Sequence, residues 1–422
     1  MLPFRYLKHA LLILTGRFDK KDEPGDINHW QALSTALSGT VGMGNISGVA
    51  IAITMGGPGA IFWMWMSALL GTATKFFTCT LAVMYRGRDS EGNLQGGPMY
   101  FITEGLGKKW KPLAIFFSIT GMLGVFPMFQ TNQLTQVIRD VLLEPSGVQV
   151  GLSSNLVTGI VITIIVSLVI FGGIKRIGSV TGKMVPGMVV VYILSVLYII
   201  FSNYELILPS LGLIINDAFT GSAVAGGSVG AIIITGARRA AFSNEAGVGT
   251  APMAHGAVKT NEPVREGLIA MLGPIIDTII VCTMTALAII ITGVWKTGGD
   301  DGVTLTATAF DAAIPVYGNY LLILSVAVFS LSTMFAYPYY GNKCFSYVFG
   351  VKYSLFYKLV FVSGICVGAT MNLKAVVSLF DAAFALMAIP TMIASILLAP
   401  KVMQAAKEYV GKYIKKDKDF SR

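Results

Sequence analysis

Charge is scarce in this chain. Only 13% of its 422 residues are Asp, Glu, Lys or Arg, about half the share usual in soluble domains. A water-facing fold of this size is excluded. Histidine is nearly absent too: His9, His29 and His255 are scattered, with no ligand spacing of the HExxH kind. The four cysteines, Cys79, Cys282, Cys344 and Cys366, make no close pair, so neither a disulfide framework nor a metal motif is present. An intramembrane hydrolase would need a nucleophile–base pair, a zinc motif or paired catalytic aspartates; the scattered histidines argue against the first two, and Asp277 and Asp381 alone do not make the third. No cofactor is expected.

What the chain does have is apolar length. Hydrophobic residues make up 54%, in runs near 20 residues, the length a helix needs to cross a lipid bilayer. About ten spans are expected, at 29–56, 60–84, 112–140, 155–173, 184–202, 222–258, 266–293, 319–347, 354–372 and 375–399. Residues 1–28 read as an amphipathic segment at the membrane surface, 204–221 as an interfacial or re-entrant connection, and 401–422 as a basic tail. Ten spans put Arg86, Arg88, Lys108, Lys109, Lys111, Lys175, Arg176, Lys183, Lys259, Arg265, Lys343 and Lys352 on the side of both tails. The opposite side has little beyond Arg139, Lys296 and Lys374. That asymmetry predicts cytoplasmic termini. It also accounts for the net charge of +9 without a nucleic-acid partner.

Two of the spans are interrupted. Ser38-Gly39-Thr40-Val41-Gly42-Met43-Gly44-Asn45 places three glycines within six positions, and each costs about 1 kcal/mol relative to alanine inside a helix. Backbone unwound in lipid must be satisfied by protein, water or a bound solute, so this stretch reads as a binding site. The second interruption is either Gly226–Gly230 or Ser243–Gly249, and the latter lies at a depth comparable to the first. The first break opens span one and the second opens span six, which divides the chain into halves of five helices, 29–203 and 222–400. An odd number of spans per half makes the second run inverted through the membrane. Paired broken helices in such halves point to a transporter site at the bilayer midplane. Thr40-Val41-Gly42-Met43-Gly44 also mimics a potassium-channel filter, but it occurs once and within a span, whereas a filter needs four such loops around an axis.

Several separated motifs agree in order and spacing with one family. Thr40 to Asn45 followed by Gly48-Val49-Ala50, Gly56-Gly57-Pro58-Gly59-Ala60, Gly96-Gly97-Pro98-Met99-Tyr100, and Ser243-Asn244-Glu245-Ala246-Gly247 resemble the alanine or glycine:cation symporters over nearly the whole chain. The resemblance implies an all-α membrane protein with a five-plus-five inverted-repeat core of the leucine-transporter type. Its partners would be a small neutral amino acid (alanine or glycine) and sodium as coupling ion, with a proton as the alternative ion, in a prokaryotic cell membrane. Carried over residue by residue, Met43 and Gly44 beside Gly42 offer N–H groups to the substrate carboxylate. Thr40 and Asn45 contribute to a sodium site beside the substrate. Ser38 and Val41 give carbonyls to a second sodium site, completed by the Phe329 carbonyl and the Ser332 and Thr333 hydroxyls. Phe129, Gln130, Phe242, Ser243, Asn244 and Tyr337 line the pocket. Thr78, Asn342 and Tyr337 depart from the family's glutamate, glutamate and tryptophan, and the hydrophobic segment that usually precedes the first broken helix is absent here. Lys75, Asp277 and Asp381 are intramembrane ionisable groups to which the sequence assigns no role. Glu245 is expected either to bind amine or cation, or to pair with Arg238 or Arg239.

Overall fold

The computed structural model describes residues 5–18, 22–220, 229–299 and 301–414. Among them, eight helices are long and apolar enough to cross a membrane. A ninth span is counted if Val189–Ser202 and Tyr204–Thr220, bent by 85° at their junction, are taken together. The sixth expected span is described only in part, because residues 221–228, which include most of the Gly226–Gly230 alternative, lie outside the described set.

The chain opens with α1 (Leu7–Leu14), which buries Ala10 and Ile13. The first span is two helices, α2 (His29–Thr40) and α3 (Met43–Gly56). Asn28 starts α2 with a reciprocal cap: its side chain accepts the Gln31 N–H at 2.8 Å, and the Gln31 side chain accepts the Asn28 N–H at 3.0 Å. Gly57, at φ +68°, and Pro58 end α3. After them come α4 (Gly59–Met84), a short hairpin of β1 (Gly87–Arg88) and β2 (Leu94–Gln95), and a third span split at Val125–Pro127 into α5 (Lys111–Gly124) and α6 (Met128–Ile138). The fourth and fifth spans are α7 (Leu152–Ile170) and α8 (Gly173–Ser202).

The connection after α8 is a helix, α9 (Ile207–Thr220), folded back over the start of α4. Asp217 accepts the Gly59 N–H at 2.8 Å, and Trp63 donates its indole N–H to the Ala218 carbonyl at 3.1 Å. The second half holds α10 (Val229–Asn244), α11 (Thr250–His255), α12 (Pro263–Thr292), α13 (Gly302–Ala313), α14 (Gly318–Phe349), α15 (Ser354–Thr370) and α16 (Leu373–Tyr409). Nothing in the sequence pattern had predicted α13, a short helix between two spans.

Burial explains the arrangement. The α2–α3 span is almost wholly enclosed, against α4, α10, α13 and α14. By contrast α7 and α15 expose Leu168, Ile164, Leu355 and Leu359, as helices facing lipid do. The glycine-broken helix is thus the axis of the molecule.

Candidate functional site

Both interruptions lie inside the protein and touch. Between α2 and α3 the chain is extended at Gly42, with φ −166°. A Cβ there would stand 2.8 Å from the Thr333 hydroxyl, so only glycine lets α14 approach this closely. Two residues on, a Cβ at Gly44 would stand 3.0 Å from the Ser243 Cα at the end of α10. An interruption lies at Glu245–Gly249, between α10 and α11. Glu245 sits there at φ +54°, a conformation that costs a non-glycine residue energy and recurs at functional sites.

Around Gly42, Ser38 of α2 and Phe329 and Thr333 of α14, three of the five residues expected to bind a cation, come together from two helices. The hydroxyls of Ser332 and Thr333 both reach the Phe329 carbonyl at 3.0 Å, and Thr333 also reaches the Ser38 carbonyl at 3.4 Å. Val41, the fifth, adjoins Gly42 and is buried. The Thr40 hydroxyl bonds back to the Ala36 carbonyl at 3.2 Å.

Asn45 has both ends of its amide engaged. Its Oδ1 accepts the Gly42 N–H at 2.9 Å, and its Nδ2 donates to the Asp277 carboxylate and carbonyl at 2.9 Å each. With Gly42 so occupied, the N–H groups at the start of α3 that have no intrahelical acceptor are those of Met43 and Gly44. Ser243 donates to Asp277 as well, and Asn244 donates to the Thr278 hydroxyl at 2.9 Å. Asp277 therefore gathers both broken helices onto α12, where the helix widens to a π-turn over Ile275–Cys282, a feature often found at functional sites. The sequence offered a signal in Asp277-Thr278 within an apolar run, but no partner for it.

Aromatic residues close two sides. On the side of α3, Phe242 lies against Gly48 and meets Phe129 edge-on at 4.6 Å, with Phe380 and Phe384 of α16 completing the cluster. On the side of α2, Tyr337 lies near Gly39 and donates to Glu245 at 2.7 Å. Thr250 donates to the same carboxylate. Gln130, next to Phe129 on α6 and 3% exposed, has an Oε1 that accepts no hydrogen bond. Arg239 pairs with Asp381 of α16 and stacks over Phe242 at 5.4 Å, so the pairing of Glu245 with Arg239 that sequence proximity suggested is replaced by one across 142 positions.

A profile of the Sodium:alanine symporter family matches residues 1–422. The chain belongs to that family. It is 41% identical over 411 residues to the sodium/alanine symporter AgcS of Methanococcus maripaludis, covering 96% of this chain and 88% of that protein. It is 40% identical over 417 residues to an uncharacterized transporter of Haemophilus influenzae, covering 97% and 89%. Among solved structures, MhsT in complex with L-phenylalanine superposes with a TM-score of 0.60 over 89% of each chain at 13% identity. That likeness shows the fold, a multi-pass helical membrane protein of the leucine-transporter type.

Proposed function

We propose that this member of the sodium:alanine symporter family carries a small neutral amino acid, alanine or glycine, together with sodium by alternating access. It would act in a prokaryotic cell membrane with both termini cytoplasmic. Sodium occupies the oxygens of Ser38, Val41, Phe329, Ser332 and Thr333. The substrate carboxylate takes the N–H groups of Met43 and Gly44, supported by the positive end of α3. Its ammonium faces Gln130. Thr40 and Asn45 border a further cation position next to the carboxylate, and Ser243 and Asn244 shape the pocket wall between Phe129, Phe242 and Tyr337.

The observation that carries this reading is the direct contact of the two breaks, Gly44 against Ser243, together with an unsatisfied buried acceptor, Gln130 Oε1, on α6 next to Phe129. A buried amide oxygen without a donor is costly, and an amino-acid ammonium supplies one. Binding of labelled alanine and glycine to the purified protein tests the proposal, with sodium replaced by choline and then by potassium at fixed pH. Binding that requires sodium is expected. Tight binding indifferent to sodium would refute the coupling ion, and failure of both amino acids to bind would refute the substrate.

A further inference from the structure

The helix α9 leaves its largest apolar side chains uncovered. Ser210, Ile214, Asp217 and Ala218 form its buried face, while Leu208, Ile215 and Phe219 are 78%, 49% and 56% exposed. Together with Gly212 they follow at spacings of four, three and four residues, so they make one stripe along the helix. Exposed Asn216 and Thr220 run beside it. The helix therefore has three faces, one against protein, one apolar and one polar, and water suits only the last.

The position of α9 says what covers the apolar face. The preceding span, α8, carries a lipid-facing row of Val190, Leu194, Tyr198 and Phe201. The chain then turns by 85°, which lays α9 across the direction of the spans, at the end of the fifth and on the side away from the termini. Its 14 residues reach about 21 Å as a helix, short of a bilayer core of about 30 Å. The exposed row continues through Tyr204 and Leu206 into the stripe of α9. Phe219 meets Phe62 and Trp63 of α4 edge-on at 5.1 and 5.8 Å, and aromatic residues of this kind collect at the membrane–water boundary.

The buried face is fastened close to the first broken helix. The bonds of Asp217 to Gly59 and of Trp63 to Ala218 hold α9 on the start of α4. A Cβ on Gly59 would stand 2.4 Å from the Ala218 nitrogen, so the two backbones meet with nothing between them. Only Gly57 and Pro58 separate that point from α3. Since α9 also packs on α10, it touches one of the two half-helices that meet at the site and holds the turn that ends the other.

We propose that α9 is an interfacial helix whose apolar stripe is covered by acyl chains of the leaflet away from the termini, and that through the α3–α4 turn and α10 it makes alanine transport respond to the packing of those lipids. Helices seated at this depth bind with a strength that depends on lipid packing, and a difference in depth between the two access states turns that dependence into a shift of the equilibrium. The lipid seat stands by itself, whereas the response of transport rests on the alanine-carrier reading above.

The test uses the full-length protein in phosphatidylcholine proteoliposomes. For the seat, a bimane label is placed on Leu208→Cys or Asn216→Cys in a Cys366→Ser background, the other three cysteines being buried. Leu208→Cys should be quenched by lipids brominated on the acyl chain and not by aqueous iodide, and Asn216→Cys the reverse. Iodide quenching at both would overturn the proposal, and so would shielding of Leu208→Cys from both quenchers with disulfide-linked dimers, which would seat a second copy there. For the response, lysophosphatidylcholine in the bilayer should change the rate of alanine uptake by about threefold. Leu208→Ser/Ile215→Ser/Phe219→Ser should lose that response, while Leu359→Ser on the lipid face of α15 should keep it. Asp217→Ala/Trp63→Phe should keep the wild-type quenching and lose the response; if the double variant does not fold, Trp63→Phe alone should already reduce it. A wild type indifferent to lysophosphatidylcholine, or a triple variant that responds as the wild type does, would overturn the coupling. No alanine uptake in any lipid would instead remove the alanine-carrier reading, with the quenching still deciding the seat.

Discussion

Asn45 ties three segments with one side chain. It caps the first N–H of the break, holds α12 through Asp277, and lies within 3.5 Å of the Ser243 hydroxyl. Asn45→Ala would leave the Gly42 N–H and one Asp277 oxygen without partners, at about 1–3 kcal/mol each. Sodium-dependent alanine binding should therefore weaken by about 30-fold or more, with a lower thermal midpoint. Wild-type affinity in that variant would remove Asn45 from the site. Thr333 makes a narrower claim, since its hydroxyl is within reach of the Phe329 and Ser38 carbonyls alone. Thr333→Ala should raise the sodium concentration for half-maximal binding by about tenfold, and Thr333→Ser should restore it. An unchanged sodium dependence in Thr333→Ala would refute the assignment.

At the scale of elements, the ends of three helices on the side of the termini are clasped together. Glu266, at the start of α12, accepts from His29 at the start of α2 at 2.5 Å and from His255 at the end of α11 at 2.6 Å; all three side chains are buried. Arg86 adds bonds to the Gly256 and Val258 carbonyls at 2.8 and 2.5 Å, and Ile27 bridges to Val258. Glu266→Gln offers an acceptor to only one imidazole. Differential scanning fluorimetry should show it melting several degrees below the wild type, from the roughly 1–3 kcal/mol of a lost buried partner, whereas Glu408→Gln on the exposed face of α16 should melt with the wild type. Equal midpoints for both would show that the clasp contributes nothing.

The helices themselves were legible in the sequence because lipid demands uninterrupted apolar length, so that a break such as Gly42 stands out against it. The convergence of Ser38, Phe329, Ser332 and Thr333 was legible only through family resemblance, since nothing local to Ser332 and Thr333 distinguishes a ligand from a hydroxyl bonding back to its own helix. The partners of Asp277 and Asp381 were not legible at all. Each is set by packing between helices far apart in the chain: sequence proximity suggested Glu245 as the partner of Arg239, whereas α16 supplies Asp381. The helix α13 was hidden for another reason: with twelve residues it is too short to read as a span.

For the whole molecule, the site is closed by different means on its two sides. Toward the termini the closure is the clasp of α2, α11 and α12. Away from them it includes an ion pair, Arg239 with Asp381, lying over the Phe242 ring that covers α3. A ligand bound at the breaks must leave past one or the other if access alternates, and the ion pair joins only two helices, α10 and α16. Arg239 is 3% exposed. Removing its partner leaves a buried cation uncompensated, which α10 can relieve only by moving toward water, and truncating one member of such a pair raises dissociation rates at about 2–5 kcal/mol. In Asp381→Asn the release of labelled alanine from the sodium-loaded, solubilised protein should therefore quicken by about 30-fold or more. The exchanged pair Arg239→Asp/Asp381→Arg should recover part of the difference. Release at the wild-type rate in Asp381→Asn would mean that the aromatic cluster of Phe129, Phe242, Phe380 and Phe384 closes this side without the ion pair.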